Sequence, residues 1–217
     1  MTRDAPVRQG FDARALLRAG ALGLGLSLGG CVSLLPRSDP VALYQFVDPA
    51  DPSGAPASRE GLRPIILPPI DFTRPATSDG MLTVTGERAA YIAGARWVAP
   101  ARVLFQEALQ HEFMFKTTKV RLAGTGEASR PALSLDVRVA RFEADYDAPD
   151  RAPRVEVVLE ARLTAGASAL GVRAVHESRP AADNSVKAIV AAYTAAVAAA
   201  TADLGAWTDQ LAGAAGP

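Results

Sequence analysis

Leu133-Ser-Leu-Asp-Val-Arg-Val139 places an apolar side chain at every second position and a polar one between. Period two with one polar side marks a strand covered on a single face. Two further runs repeat the pattern. Val155, Val157, Leu159 and Leu163 alternate with Glu156, Glu160 and Arg162, with Val158 breaking the polar side. Leu170, Val172 and Ala174 alternate with Gly171, Arg173 and Glu177. The connections are a charged, proline-containing stretch at Asp145–Pro153 and a tight turn at Ala165–Ala169. Three such runs in series predict an antiparallel meander with its apolar side facing a covering layer.

The covering layer lies on either side of the meander in sequence. Ala101, Leu104, Phe105, Ala108 and Leu109 fall on one stripe at helical spacing, with Arg102, Gln106 and Gln110 opposite, so Ala99 to Glu112 predicts an amphipathic helix. Pro100 suits its first turn, where no amide partner is required. Ser185 to Leu211 predicts a longer helix, capped by Asp183 or Asn184. Its stripe runs through Val186, Ile189, Val190, Tyr193, Val197, Leu204, Trp207 and Leu211, and the alanines of 195–202 permit close approach. Shorter strands are predicted at Val41–Val47, at Arg63–Leu67 before Pro68-Pro69, at Met81–Thr85, at Glu87–Ile92 and at Lys116–Leu122. The expected fold is α+β: a mostly antiparallel sheet with two amphipathic helices packed on one face.

Composition narrows the function. The chain has 217 residues, a net charge of +0, one Cys and two His, so it can hold no internal disulfide and no cysteine-rich zinc site. The neutral balance argues against nucleic acid as a partner. With 6% aromatic residues, a stacking surface for single strands is not expected either. Hydrophobic residues make up 49%, enough for a buried core.

The first thirty residues read differently from the rest. Arg3, Arg8, Arg14 and Arg18 precede the uncharged run Ala19–Gly30, which is followed by Cys31. A basic start, a short apolar run and small residues at its end form a secretory leader, and the run falls short of the ~20 residues that span a bilayer. Leu28-Gly29-Gly30-Cys31 resembles the bacterial lipobox. That resemblance implies a diacylglyceryl group on the Cys31 sulfur, cleavage after Gly30 and an acyl chain on the new N-terminus, with no other cofactor. Val32 follows where an inner-membrane retention signal would place Asp, which favours the outer membrane over the inner. The expected layout is a leader over 1–30, the lipidated Cys and a Pro-rich tether with a short strand over 31–62, and the α+β domain over 63–217.

No catalytic pattern stands out. His111 is followed by Glu112-Phe-Met-Phe115, without the second His of a metalloprotease helix. The Gly-x-Ser-x-Gly elbow is missing. Gly124-Thr-Gly126 lacks the Lys of a phosphate loop, and Asp145, Asp147 and Asp150 lack the spacing and closing Glu of a calcium loop. His176 is expected to be solvated at a strand end. Arg96 and Trp97 are residue types that dominate docking surfaces, although Trp97 fits a core position equally well. The ordinary run of core residues predicts no large dry cavity.

The order of these pieces resembles the ABC-type transport auxiliary lipoproteins of the PqiC-like group. A lipobox and Pro-rich tether lead into a Tyr-Gln-Phe strand (44–46). A strand ending in Leu-Pro-Pro (67–69) follows, and then Ala90-Tyr-Ile-Ala-Gly-Ala-Arg-Trp-Val-Ala-Pro-Ala-Arg-Val-Leu104 enters the first helix. The Arg141-Phe-Glu-Ala strand ending also fits, while Asp71–Gly80 departs from the pattern in its Thr, Arg and Asp. The resemblance implies a non-enzymatic periplasmic lipoprotein that works beside an MCE-type lipid transporter. Its partners would be an MCE-domain substrate-binding protein, an ABC permease and ATPase, and the membrane through the anchor. The alternative is a structural outer-membrane assembly or cell-wall-associated lipoprotein.

Overall fold

The computed structural model describes residues 40–46, 59–124 and 133–214. Nine strands in this part form one sheet. The strands are β1 (Ala42–Tyr44), β2 (Arg63–Ile66), β3 (Asp71–Phe72), β4 (Gly80–Thr85), β5 (Arg88–Trp97), β6 (Val120–Leu122), β7 (Leu133–Asp145), β8 (Arg154–Ala165) and β9 (Ser168–Pro180). The helices are α1 (Ala101–Phe115), between β5 and β6, and α2 (Val186–Ala214), after β9.

The expectation of a mostly antiparallel sheet is overturned. The sheet is mixed, and five of its eight strand pairings among the described residues are parallel. The long pairings β7–β8 and β8–β9 are antiparallel, since both connections are too short for a crossover. The other edge of β7 is served differently. Ile65 registers with Leu133, Asp71 with Arg138 and Thr83 with Ala144, so residues 63–85 advance along β7 in its own direction. Pro68-Pro69 lack amide hydrogens, and a 3₁₀ turn at Arg74–Ala76 follows, so this companion touches β7 in three short pieces. Alternation reports which side of a strand is covered. It does not report the direction of the neighbour, and α1 within the crossover makes the parallel direction available.

Inner and outer faces follow from register. An irregularity between Val139 and Arg141 inserts Ala140, so Phe142 and Ala144 continue the buried side begun by Leu133 and Val139. A second irregularity, between Leu163 and Thr164, reverses the expected faces of β9. Gly171, Arg173 and Val175 pair with buried Leu163, Ala161 and Leu159, whereas Val172 and Ala174 point outward. Gly171 suits the inner side because a Cβ there would lie 2.9 Å from Leu211 Cδ1 and 3.2 Å from Trp207 Cζ2. Arg173 lies at the margin, where its Nη2 is 2.6 Å from Asp203 Oδ1 on α2.

Both helices reach Phe142 on the inner face. The Phe105 ring of α1 lies 6.3 Å from it and the Tyr193 ring of α2 4.9 Å. Buried Ala192, Ala196 and Ala200 bring the α2 backbone onto the sheet. α2 has the length and composition to cross a membrane, but its stripe from Ile189 to Leu204 is spent on the core. Its cap is Ser185, whose Oγ accepts from the Ala188 amide, while Asp183 accepts from the Ser185 amide one step earlier. α1 runs three residues past the expected Glu112, and its first free amide, Ala101, donates to Ser78 O.

Candidate functional site

Strand alternation sends the two neighbouring candidates to opposite faces. Trp97 is buried with its ring 5.0 Å from Phe46 and 5.1 Å from Tyr193, edge-on to both. It therefore offers no indole surface to a partner, and the core position considered beside docking is the one it occupies. Arg96 projects from the outer face, with Nη1 2.8 Å from Asp79 Oδ1. Asp79 belongs to the connection that departed from the family pattern, which here forms β3, the 3₁₀ turn and the approach to β4. Gly94, at φ 70, occupies the left-handed region that lets β5 turn toward this end. Cys31 and Gly30 lie outside the described residues.

The outer face of β7, β8 and β9 carries a polar lattice. Asp136 stands opposite Arg162 and Arg138 opposite Glu160, pairing unlike charges. Glu143 stands opposite Glu156, a like-charged pair that needs compensation. Arg141 supplies part of it, with Nε 2.7 Å from Glu143 Oε1 and Nη2 3.1 Å from Asp145 Oδ2. His176 and Ser178 supply the rest: His176 Nε2 lies 2.6 Å from Glu156 Oε2, and the Ser178 hydroxyl donates to Oε1. His176 is solvated as expected, with its side chain 61% exposed, and it is also half of a carboxylate clamp.

Burial pushes the Glu156 carboxyl up, but the hydrogen bonds from Ser178 and His176 and the charges of His176 and Arg141 hold it below the usual range. A carboxyl lowered by folding contributes stability above its unfolded value of about 4.3 and loses it as the pH falls through the folded value. Glu156→Gln is therefore expected to destabilise the protein more at pH 7 than at pH 3. Urea titrations at both values check this, and an equal loss at both would remove the clamp from the account.

A serine, a histidine and a glutamate in one cluster invite comparison with a nucleophilic triad. The connectivity differs. A nucleophile must give its hydrogen to the base, and the base must be held by the carboxylate. Here Ser178 and His176 both bond the same carboxylate, so Glu156 binds the hydroxyl that a base would have to activate.

The remaining candidates do not converge. The His111 ring packs 4.7 Å from Phe115. Among the described residues no group of three or more His, Cys, Asp or Glu is placed to hold a metal. Asp145 is taken by Arg141, and Gly124 belongs to the chain after β6, with 125–126 outside the described residues. Shallow grooves open along the sheet among the described residues. One of about 400 Å³ is lined by Asp71, Arg74 and Arg138 with neighbouring backbone. Another of about 320 Å³ lies between Arg88, Ile92 and Tyr146. Both are open and partly charged, unlike an enclosed apolar cargo site.

The family described as ABC-type transport auxiliary lipoprotein component matches residues 44–205. The chain belongs to this family. The match begins inside β1 and ends in α2, so it covers the sheet and both helices. Solved structures share the fold. A Xanthomonas campestris protein of the DUF330 family is 22% identical with a TM-score of 0.62, over 79% of this chain and 93% of that one. An uncharacterized protein is 13% identical with a TM-score of 0.59, over 78% of this chain and 99% of that one. Among curated proteins none matches. As a member of the family, the chain is an envelope lipoprotein and an auxiliary component of an ABC transporter, associated with the transporter's parts.

Sequence reasoning missed Asp79 and the Glu156 clamp. Asp79 stands 17 residues from Arg96, in a connection with no periodicity to place it. Glu156, His176 and Ser178 meet through the β8–β9 register, which depends on the irregularity after Leu163. The available signal was the adjacency of Glu156 and Glu143 on paired polar faces, which demands a neutralising neighbour.

Proposed function

We propose that the mature chain is a non-catalytic scaffold of an MCE-type lipid transporter, held to the outer membrane by a diacylglyceryl and an N-acyl chain on Cys31. The observation that carries this reading is the succession of Leu28-Gly-Gly-Cys31 and a family domain that starts at residue 44. Acyl chains contribute about 0.8 kcal/mol per buried CH₂, so two or three fix the chain durably. The domain then presents the polar outer face of β7, β8 and β9 to an MCE-domain protein or the permease and ATPase. The anchor supplies retention and the sheet supplies the docking face. Transported lipid passes through the partners and not through a cavity of this chain.

Crosslinking in native membranes followed by purification tests the partner assignment. MCE, permease or ATPase subunits are the expected catch. Recovery of barrel-assembly or cell-wall components in their place overturns the transporter reading. For the anchor, Cys31→Ser is expected to abolish both the acyl mass and cleavage after Gly30. A native N-terminus without a glyceride or fatty acyl adduct in mass spectrometry refutes it.

A further inference from the structure

Large apolar side chains exposed on this protein are unevenly placed. Of seven such residues among those described, four gather where the chain enters the sheet: Val41 (47% exposed), Leu43 (62%), Tyr91 (52%) and Val98 (48%). Register makes them neighbours. Leu43 is the partner of Arg96, and Arg96 is the partner of Gly80. Gly80 is small because the Tyr91 ring lies over it; a Cβ there would be 2.7 Å from Tyr91 Cδ1. Leu43, Arg96 and Tyr91 therefore form one row on the outer face. Val98 flanks the same corner through its amide bond of 2.8 Å to Tyr44 O.

The row carries little net charge. Arg96 is neutralised by Asp79, and the Tyr91 hydroxyl is spent on Pro75 O at 2.8 Å, which leaves the ring as the surface. Tyrosine of this kind suits a membrane interface. β1 also belongs to the sheet, with Phe46 packed in the core just beyond it, so the domain begins well before residue 63. Cys31 and Pro40 are nine positions apart. Even fully extended, that stretch reaches about 30 Å at most. Chain length alone therefore keeps Val41 within that reach of the lipid on Cys31.

We propose that Val41, Leu43, Tyr91 and Val98 form a membrane-resting corner that seats β1 in the headgroup–acyl boundary of the bilayer holding the anchor. The inference rests on the lipid anchor proposed above. Because Arg96 is paired with Asp79, the seating is apolar and needs no anionic lipid. It orients the domain, so that β9, at the opposite edge of the sheet from β1, is left to partners.

The test uses the full lipidated chain in protein-free phosphatidylcholine vesicles. The acylated Cys31 sulfur is a thioether, so Leu43→Cys introduces the one reactive thiol, which takes an environment-sensitive fluorophore. Met114→Cys, at the far end of α1 and 44% exposed in the parent, serves as the control, and Val41→Cys is the second position. Probes at 43 and 41 are expected to shift to the blue and to lose quenching by aqueous iodide when vesicles are present. The probe at 114 should keep its quenching, and neither salt nor anionic lipid should change the difference. Equal quenching at 43 and 114 overturns the proposal. So does protection at 43 without vesicles, which indicates a second copy, or protection in native membranes alone, which indicates a protein partner. Flotation and acyl mass are measured on the same samples. A chain that is acylated and floats yet leaves 43 exposed defeats the seating alone; a chain without the adduct defeats the anchor reading as well.

Discussion

Trp97→Ala is expected to lower the unfolding free energy by about 3–5 kcal/mol, a large part of the ~5–15 kcal/mol that a domain of this size holds. The indole sits edge-on to Phe46 and Tyr193, and the cluster extends through Phe142 to Phe72 and Phe105. One deletion therefore removes a wall shared by β1, β5, β7 and α2. The cavity cannot collapse readily, because Tyr193 is held on a buried helix stripe and its hydroxyl, 3.4 Å from Leu82 O, resists a change of pose. Arg96→Ala, one position earlier, should cost only about 0–1 kcal/mol, since both members of the Arg96–Asp79 pair are half exposed. The contrast between adjacent positions is the measurement, made by urea denaturation of both variants. A Trp97→Ala loss under about 1 kcal/mol would mean that β5 is displaced by one residue and that the indole faces out.

That contrast also shows what local sequence could convey. The β7 alternation and the two helical stripes were readable because each reports burial at a fixed period, and Leu133, Leu135, Val137, Phe105 and Tyr193 are all buried. Strand direction was not readable, since a two-residue pairing such as Asp71–Phe72 on Arg138–Val139 leaves no periodic trace. Nor were the faces of β9. One skipped residue near Gly171 turns Val172 outward and Arg173 inward, and period two carries no memory across such a skip. At the candidate site, Arg96 was visible as a residue type, whereas its partner Asp79 and the burial of Trp97 required the tertiary fold. The lattice of Arg141, Glu143 and Glu156 depends likewise on Ala140 being the extra residue, which places Arg141 outward beside Glu143. The apolar corner at Leu43 follows from a parallel pairing that sequence alternation could not indicate.

Arg59→Ala is expected to cost about 2–3 kcal/mol, more than its half-buried position suggests, because it would strip several acceptors at once. Arg59 falls within the stretch 31–62 read as a tether, yet it reaches across 54 positions to close the C-terminus of α1. Its Nη2 lies 2.8 Å from Phe113 O and 3.3 Å from both Val120 O and Thr117 Oγ1. Phe113 O is one of the last carbonyls of α1, which have no partner further along the helix. A guanidinium there also meets the negative end of the helix dipole. The Thr117 hydroxyl bonds the same two carbonyls, at 2.9 and 3.0 Å, and limits the damage without supplying the charge. Arg59→Lys should fall between the parent and Arg59→Ala, since an ammonium keeps the charge and its donors but sits on a shorter side chain than the Nη2 that meets Phe113 O and Val120 O. The loss should also be local at first. Arg63, four residues on, donates its amide to Lys119 O, and the Ala123 amide donates to Ile65 O, so loosening residue 59 frees β2 from β6 and speeds amide exchange at Arg63 and Ala123 before global unfolding. An Arg59→Ala variant within about 0.5 kcal/mol of the parent, with unchanged exchange at those amides, would show that Thr117 alone closes the helix.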